Sequence, residues 1–238
     1  MVIDHIYYPG RNQDYPAYVI RPKAAYVGPA VVMLHDRQGL TEYFLAWGER
    51  LAHEGFIVML PDLYMGRKPN DDGQAKQWMN ALALKEGREA VRMAVVWLRN
   101  QAYTREHETA VIGFERNGTL GLLTTTLKRF APRAAIAIAS PVKDLIEEAK
   151  EFHAAVQLHI PEKDKTVAKN TLDTFIATLA SQGIAYEVHT YPNAKHDFMC
   201  KTCEDYDAEA ERQVWERTLA FLQKVYENAP TAQAMVTS

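Results

Sequence analysis

The sequence predicts an α/β fold: a doubly wound, mostly parallel sheet of about eight strands with helices on both faces. Three observations carry that expectation. Strand-like and helix-like patterns alternate along most of the chain. Two continuous apolar runs, Ala30-Val-Val-Met-Leu34 and Phe56-Ile-Val-Met-Leu60, have the length of strands buried on both faces. A third run, Ala110-Val-Ile-Gly-Phe114, enters a tight turn at Glu115-Arg-Asn-Gly118 and leaves as an apolar helix pattern. At 238 residues and 47% hydrophobic side chains the chain can bury one large core, so residues 1–226 are expected to form a single domain.

Taken in order, Val2 to Tyr8 and Ala17 to Arg21 are β-rich runs around a polar turn and read as an N-terminal antiparallel pair. The run Ala30 to Leu34 stops at His35-Asp36-Arg37-Gln38-Gly39. Thr41 and Glu42 then open a helix whose apolar residues recur at helical spacing up to Gly55. The strand Phe56 to Leu60 ends at Pro61-Asp-Leu-Tyr64-Met-Gly-Arg67, followed by a polar excursion from Lys68 to Gln74 that is a candidate lid. Helix patterns follow at Ala75 to Leu84 and Glu86 to Leu98, the second clearly amphipathic. Thr109 to Phe114 is the strand before the sharp turn, and Asn117 is placed to cap a helix running through Leu127. The alternation continues with strands at Ala134 to Ala139, Ala155 to Ile160 and Tyr186 to Tyr191. The helices between and after them fall at Val142 to Glu151, Val167 to Gln182 and Ala208 to Tyr226. The segment 227–238 lacks a periodic apolar face and is expected to be a flexible tail.

Composition narrows the function classes. Net charge is −3 and no cluster of Lys or Arg dominates a face, which argues against nucleic acid as a partner. No run approaches a membrane span, and the first residues lack a leader pattern, so a cytoplasmic location is expected. Small molecules are the expected ligands, with a homodimer left open. Cys200 and Cys203, the two cysteines, are too few for a disulfide framework and read as packing or surface thiols. His196 lies nearby, but the set falls short of the four ligands of a structural zinc site, so no metal is assigned.

Ligands of open α/β sheets bind beyond the carboxyl ends of the strands. The loops there carry His35-Asp36-Arg37, Tyr64 to Arg67, Glu115-Arg116, Ser140, Pro161 to Asp164 and Asn193 to Phe198. Glu115 in the turn, then Asp164, then His196 follow the chain order of a nucleophile, acid and histidine triad. His35, directly after a buried strand, reads as a structural histidine.

Over nearly its whole length the chain resembles the dienelactone hydrolase family. The resemblance rests on Leu34-His-Asp-Arg-Gln-Gly-Leu40, Pro61-Asp-Leu-Tyr64, Gly113-Phe-Glu-Arg-Asn-Gly118, the acid loop ending in Asp164, and Tyr191-Pro-x-Ala-x-His196-x-Phe198. It implies an α/β-hydrolase fold and hydrolysis of lactones or carboxylic esters without a cofactor. It further implies that Asp164 orients His196 and that the backbone N–H groups of Arg37 and Arg116 form the oxyanion hole. Asp36, Tyr64, Arg67, Ser140, Phe198 and Cys200 are expected around the substrate pocket. The departures are specific. Glu115 stands where the family has Cys or Ser, Asn117 replaces a glycine, Cys200 stands at the position of a substrate-holding Arg, and Arg67 is displaced by one residue from the position of a second.

The glutamate restricts the chemistry. Attack of its carboxylate on an ester carbonyl gives an anhydride, uphill from the ester, so acyl transfer through Glu115 is disfavoured. Displacement at a saturated carbon, general-base action on water, a silent ion pair with an arginine in a binding protein, and a carboxylate/His metal site remain open. Because Glu is about 1.5 Å longer than Asp, its carboxylate is expected to overshoot the oxyanion-hole donors. Hydrogen-bond reach between Glu115 and His196 would indicate a working dyad; closure onto an arginine would indicate a silent site.

Overall fold

The computed structural model describes residues 1–82 and 85–227. Eight strands form one sheet in the order β1-β2-β4-β3-β5-β6-β7-β8. They are β1 (Val2–Pro9), β2 (Asp14–Arg21), β3 (Gly28–Leu34), β4 (Ile57–Pro61), β5 (Thr104–Phe114), β6 (Ala134–Ile138), β7 (Ala155–Pro161) and β8 (Tyr186–Tyr191). β1 pairs with β2 and β2 with β4 antiparallel, while every pairing from β4 through β3 and β5 to β8 is parallel. The fold class read from the sequence is therefore the one observed.

Strand periodicity sorts the core into layers. On one face Val31 and Met33 of β3, Val58 and Leu60 of β4, and Ile136 and Ile138 of β6 pack under α1 (Glu42–His53) and α6 (Ala208–Glu227). Trp47 of α1 meets Trp215 of α6 edge-on at 5.1 Å. The intervening residues Ala30, Val32, Ile57 and Met59 face α3 (Lys85–Arg99), which buries Ala90, Val91, Ala94, Val95 and Leu98 along one stripe. Beyond it, Ala135, Ala137, Val156 and Leu158 pack against α5 (Lys169–Ser181) through Leu172, Phe175 and Leu179. Each of the Val, Leu, Ile and Met side chains among these, removed from water, contributes roughly 1.5–3 kcal/mol before the entropy cost of ordering it, and each Ala less.

Three local expectations are corrected. The helix after the sharp turn, α4 (Arg116–Leu123), stops short of Leu127. Thr124, Thr125 and Thr126 each donate a hydroxyl hydrogen bond to the carbonyl three residues earlier, at 2.6, 2.7 and 2.9 Å, which tightens the chain into a 3₁₀ turn. The segment Val142 to Glu151 is not an α-helix but two short 3₁₀ turns, Lys143–Leu145 and Glu148–Glu151. Its buried residues Val142, Leu145, Ala149 and Phe152 recur at spacings of three and four, which both helix types satisfy. Cys200 and Cys203 are joined in a disulfide rather than left as thiols, because successive turns across 197–206 bring the two residues together. The expected tail from residue 228 lies outside the described residues. Among the described residues no helix is long and apolar enough to cross a membrane.

The sharp turn depends on two glycines. A Cβ at Gly113 would lie 2.5 Å from the Gly118 Cα, and one at Gly118 would lie 1.9 Å from the Ser140 Oγ and 2.8 Å from the Gly113 carbonyl. Gly118→Ala is therefore expected to destabilise the protein by about 2 kcal/mol or more. Gly66→Ala, strained only by a φ of +78° with open space around it, should cost about 1 kcal/mol. Urea denaturation of the two variants checks the order.

Candidate active site

Four loops at the carboxyl ends of the parallel strands converge. After β5 the chain turns so sharply that Glu115 adopts φ 52°, ψ −136°, a conformation that non-glycine residues rarely occupy. The Glu115 N–H donates to the Ile138 carbonyl at 2.9 Å, and the Gly118 N–H donates to the Glu115 carbonyl at 3.0 Å, fixing the bend. Glu115 itself occupies the N-cap position of α4. Asn117, expected as the cap, instead lies buried in the first turn and donates from Nδ2 to the His35 carbonyl at 2.6 Å, tying α4 to the end of β3.

The loop after β7 supplies Asp164 and the loop after β8 supplies His196. His196 Nδ1 and Asp164 Oδ2 are 2.7 Å apart, and the Thr166 N–H donates to Asp164 Oδ1 at 2.7 Å. Burial alone would raise the Asp164 carboxyl, but these two hydrogen bonds outweigh it and hold the group below its ordinary range. His196 moves the other way. Its bond to Asp164 raises its pKa against the effect of burial, and the charges of Glu115, Asp164 and Asp197 add to the rise. With Nδ1 engaged, Nε2 faces Glu115 Oε1 at 3.7 Å, beyond direct hydrogen-bond length.

Glu115 is held by Arg37. The Arg37 guanidinium Nη1 bonds Glu115 Oε1 and also Asp197 Oδ1, the latter at 2.8 Å, while Nε donates to Asp72 Oδ1 at 2.9 Å. The Arg37 backbone N–H reaches Glu115 Oε2 at 3.3 Å. The longer side chain thus does not overshoot the donor expected in the oxyanion hole: it folds back and places its own carboxylate oxygen on it. Burial raises the Glu115 carboxyl, partly offset by Arg37 and His196. Neighbouring Asp36, whose Oδ1 accepts the Gln38 N–H at 2.8 Å, is pushed up to about 7 by burial and by the charge of Glu115.

A cavity of about 280 Å³ opens over this centre, lined by Arg37, Glu115, Arg116 and His196. Its remaining wall comes from Lys76, Met79 and Asn80 of α2 (Asp72–Leu82), together with Pro141 and Thr166. The cover is therefore a helix that begins inside the polar excursion.

Six expected pocket residues do not line this cavity. Asp36 stays in its own turn. Tyr64 is buried, donating its hydroxyl to the Arg37 carbonyl at 3.2 Å. Arg67 lies over the Trp78 ring, 4.9 Å from its centroid. Ser140 is buried against Gly118 and donates to the Ile138 carbonyl at 3.1 Å. Phe198 is fully buried, 5.4 Å from the Tyr191 ring, and Cys200 is in the disulfide. His35 is structural: Nε2 accepts the Leu63 N–H at 3.2 Å, so Nδ1 carries the proton that it donates to the Asp36 carbonyl at 2.7 Å.

Sequence reasoning missed Asp72 and Asp197. Asp197 adjoins His196 and was visible as part of that loop, but nothing in the chain marks Asp72 as a partner of Arg37. Glu115, His196 and Asp197 can bring one ligand atom each within 4.8 Å of one another. The space between the two carboxylates is spanned by the Arg37 guanidinium, which already supplies the positive charge there.

The sequence profile of the dienelactone hydrolase family matches residues 15–226. The chain belongs to the dienelactone hydrolase family. It is 27% identical to a carboxymethylenebutenolidase of Rhodococcus opacus over 211 residues, covering 83% of this chain and 81% of that one. To the protein called usf of Aquifex pyrophilus it is 25% identical over 228 residues, covering 87% and 92%. A solved dienelactone hydrolase-like promiscuous phosphotriesterase from metagenomic libraries superposes with a TM-score of 0.84 at 17% identity, covering 94% of this chain and 98% of that one, which shows the shared fold. In this dienelactone hydrolase family member the strained turn after β5 holds a carboxylate that is paired with Arg37.

Removing the cation should expose the cost of that arrangement. Arg37→Met is expected to destabilise the protein by about 3 kcal/mol, since it leaves Glu115 buried and unpaired. Adding Glu115→Gln should recover part of the loss. Chemical denaturation of the two singles and the double gives the coupling.

Proposed function

We propose that the protein hydrolyses a small carboxylic ester or lactone with water, not residue 115, as the attacking group. The observation that carries this reading is the Asp164–His196 pair. The acid is buried and bonded to Nδ1, leaving Nε2 directed at the cavity beside Glu115. An oriented imidazole of this kind serves as general base and then general acid.

In the proposed reaction His196 Nε2 takes a proton from water as the water oxygen bonds to the substrate carbonyl carbon. The negative charge moves to the carbonyl oxygen. The Arg116 N–H, at the head of α4 and without a partner inside its helix, is the donor available to that oxygen, while the Arg37 N–H is shared with Glu115. When the tetrahedral intermediate collapses, the bond to the leaving oxygen breaks and the imidazolium returns the proton to it. Glu115 stabilises the imidazolium through charge and remains on Arg37 throughout. The lactone and ester class comes from the relatives' chemistry, and the cavity volume suits a small substrate.

A second reading has its own observation. Closure of Arg37 onto Glu115, with His196 Nε2 outside hydrogen-bond reach, is the geometry of a silent site in a ligand-binding protein. A panel of aryl esters and lactones separates the two. Hydrolysis by the wild type, lost by at least a hundredfold in His196→Ala and retained in Glu115→Gln, supports water attack. No turnover by the wild type, with hydrolysis appearing in Glu115→Cys, supports the silent site.

The pH dependence follows from the direction of the His196 shift. A general base must be neutral, and its folded pKa lies above the ordinary 6.5, so kcat/KM is expected to rise through a midpoint above pH 6.5. Glu115→Gln removes one of the charges that raise it, and the midpoint should move down. A profile flat from pH 5 to 9 would contradict the assignment.

A further inference from the structure

At the opposite ends of the same strands lies a second cavity of about 640 Å³. It opens where β6, β7 and β8 begin, and the C-terminal turns of α3 and α6 wall it. With parallel strands of five to seven residues between them, it is about 20 Å from the candidate active site. Five basic side chains line it, Arg99, Lys128, Arg129, Arg133 and Lys224, against a single acid, Glu187. The wall thus carries a formal charge of +4 in a chain whose net charge is −3.

Two of these cations have structural employment. Arg99 ends α3 and donates to the Ala131 carbonyl at 3.3 Å, and Lys224, in the last turn of α6, pairs with Glu187 at 2.8 Å. Both complement the negative end of a helix dipole. Lys128, Arg129 and Arg133 are different. Among the described residues they form no ion pair, and Arg133 immediately precedes β6. Like charges gathered at one concave surface repel one another and focus a positive potential into it. The rest of the wall is largely apolar, including Pro132, Ile184, Phe221 and Val225, with Tyr186 exposed at the rim.

We propose that this cleft binds a small organic anion with an apolar body, such as an aryl or alkyl phosphate, phosphonate or carboxylate. Its charged group sits among Lys128, Arg129 and Arg133, and its body lies against the apolar wall. The charge excess accounts for the anion, and the apolar concavity favours an organic ligand over a bare inorganic ion or an extended nucleic acid. The site is separate from Glu115 and His196 and does not rest on the hydrolase reading.

Calorimetric titration of the full chain with 1-naphthylphosphonate tests it. The expected result is one saturable site, weakened at least tenfold in Arg133→Gln and in Lys128→Gln, weakened by added salt, and unaltered in His196→Ala. Inorganic phosphate and neutral 1-naphthol should each bind more weakly than the combined probe. Lys128 is exposed, so its variant keeps the test available if Arg133→Gln fails to fold. The proposal is overturned by absence of saturable binding, by loss of binding in His196→Ala with Arg133→Gln unaffected, by naphthol binding as well as the phosphonate, or by tighter binding of a duplex oligonucleotide.

Discussion

One guanidinium organises the candidate active site. Arg37, buried after β3, meets Glu115 from the turn after β5, Asp197 from the loop after β8, and Asp72 at the start of α2. Four chain segments far apart in sequence are thereby fixed around one cation. The same contact explains how a carboxylate can remain in a strained, water-poor position. Burial drives Glu115 toward its neutral form, and the cation opposes it. The backbone N–H of the same residue holds the other carboxylate oxygen, so charge and geometry are satisfied together.

From that constraint the functional reading follows. A carboxylate engaged through both oxygens is a weak nucleophile, and its attack on an ester would yield an anhydride. The imidazole beside it has no such restriction: Asp164 sets its orientation and leaves Nε2 toward the cavity. In the proposed reaction Asp164 and His196 therefore carry the acid and histidine roles, while Glu115 works as a fixed charge on Arg37.

Much of this was legible in the sequence, for identifiable reasons. Strand-long apolar runs and glycine-bounded turns are local patterns, so the sheet, the sharp turn at Glu115 and the loops bearing Asp164 and His196 could be placed from the chain alone. What escaped depends on partner choice in space. Arg37 is far from Glu115, Asp197 and Asp72 in sequence, and nothing local says which carboxylates it will meet. Asn117 looked like a helix cap because its type suits that role, yet its amide is taken by the His35 carbonyl. Tyr64 and Phe198 fall on loops that face the pocket, but large aromatics serve core and cavity equally, and here the core takes them. Lys128, Arg129 and Arg133 are neighbours in the chain, but the apolar wall that makes a cleft of them, from residues 183–186 and the end of α6, joins them only when the strand ends align.

The central claim is that oxygen reaches the substrate from water directly, with Glu115 held on Arg37. Its most direct test is a single turnover of an ester in ¹⁸O-labelled water with excess enzyme, followed by mass analysis of the released acid and of the peptide containing Glu115. The account predicts label in the acid and an unlabelled peptide. Label in the Glu115 carboxylate, or no released acid at all, would contradict it.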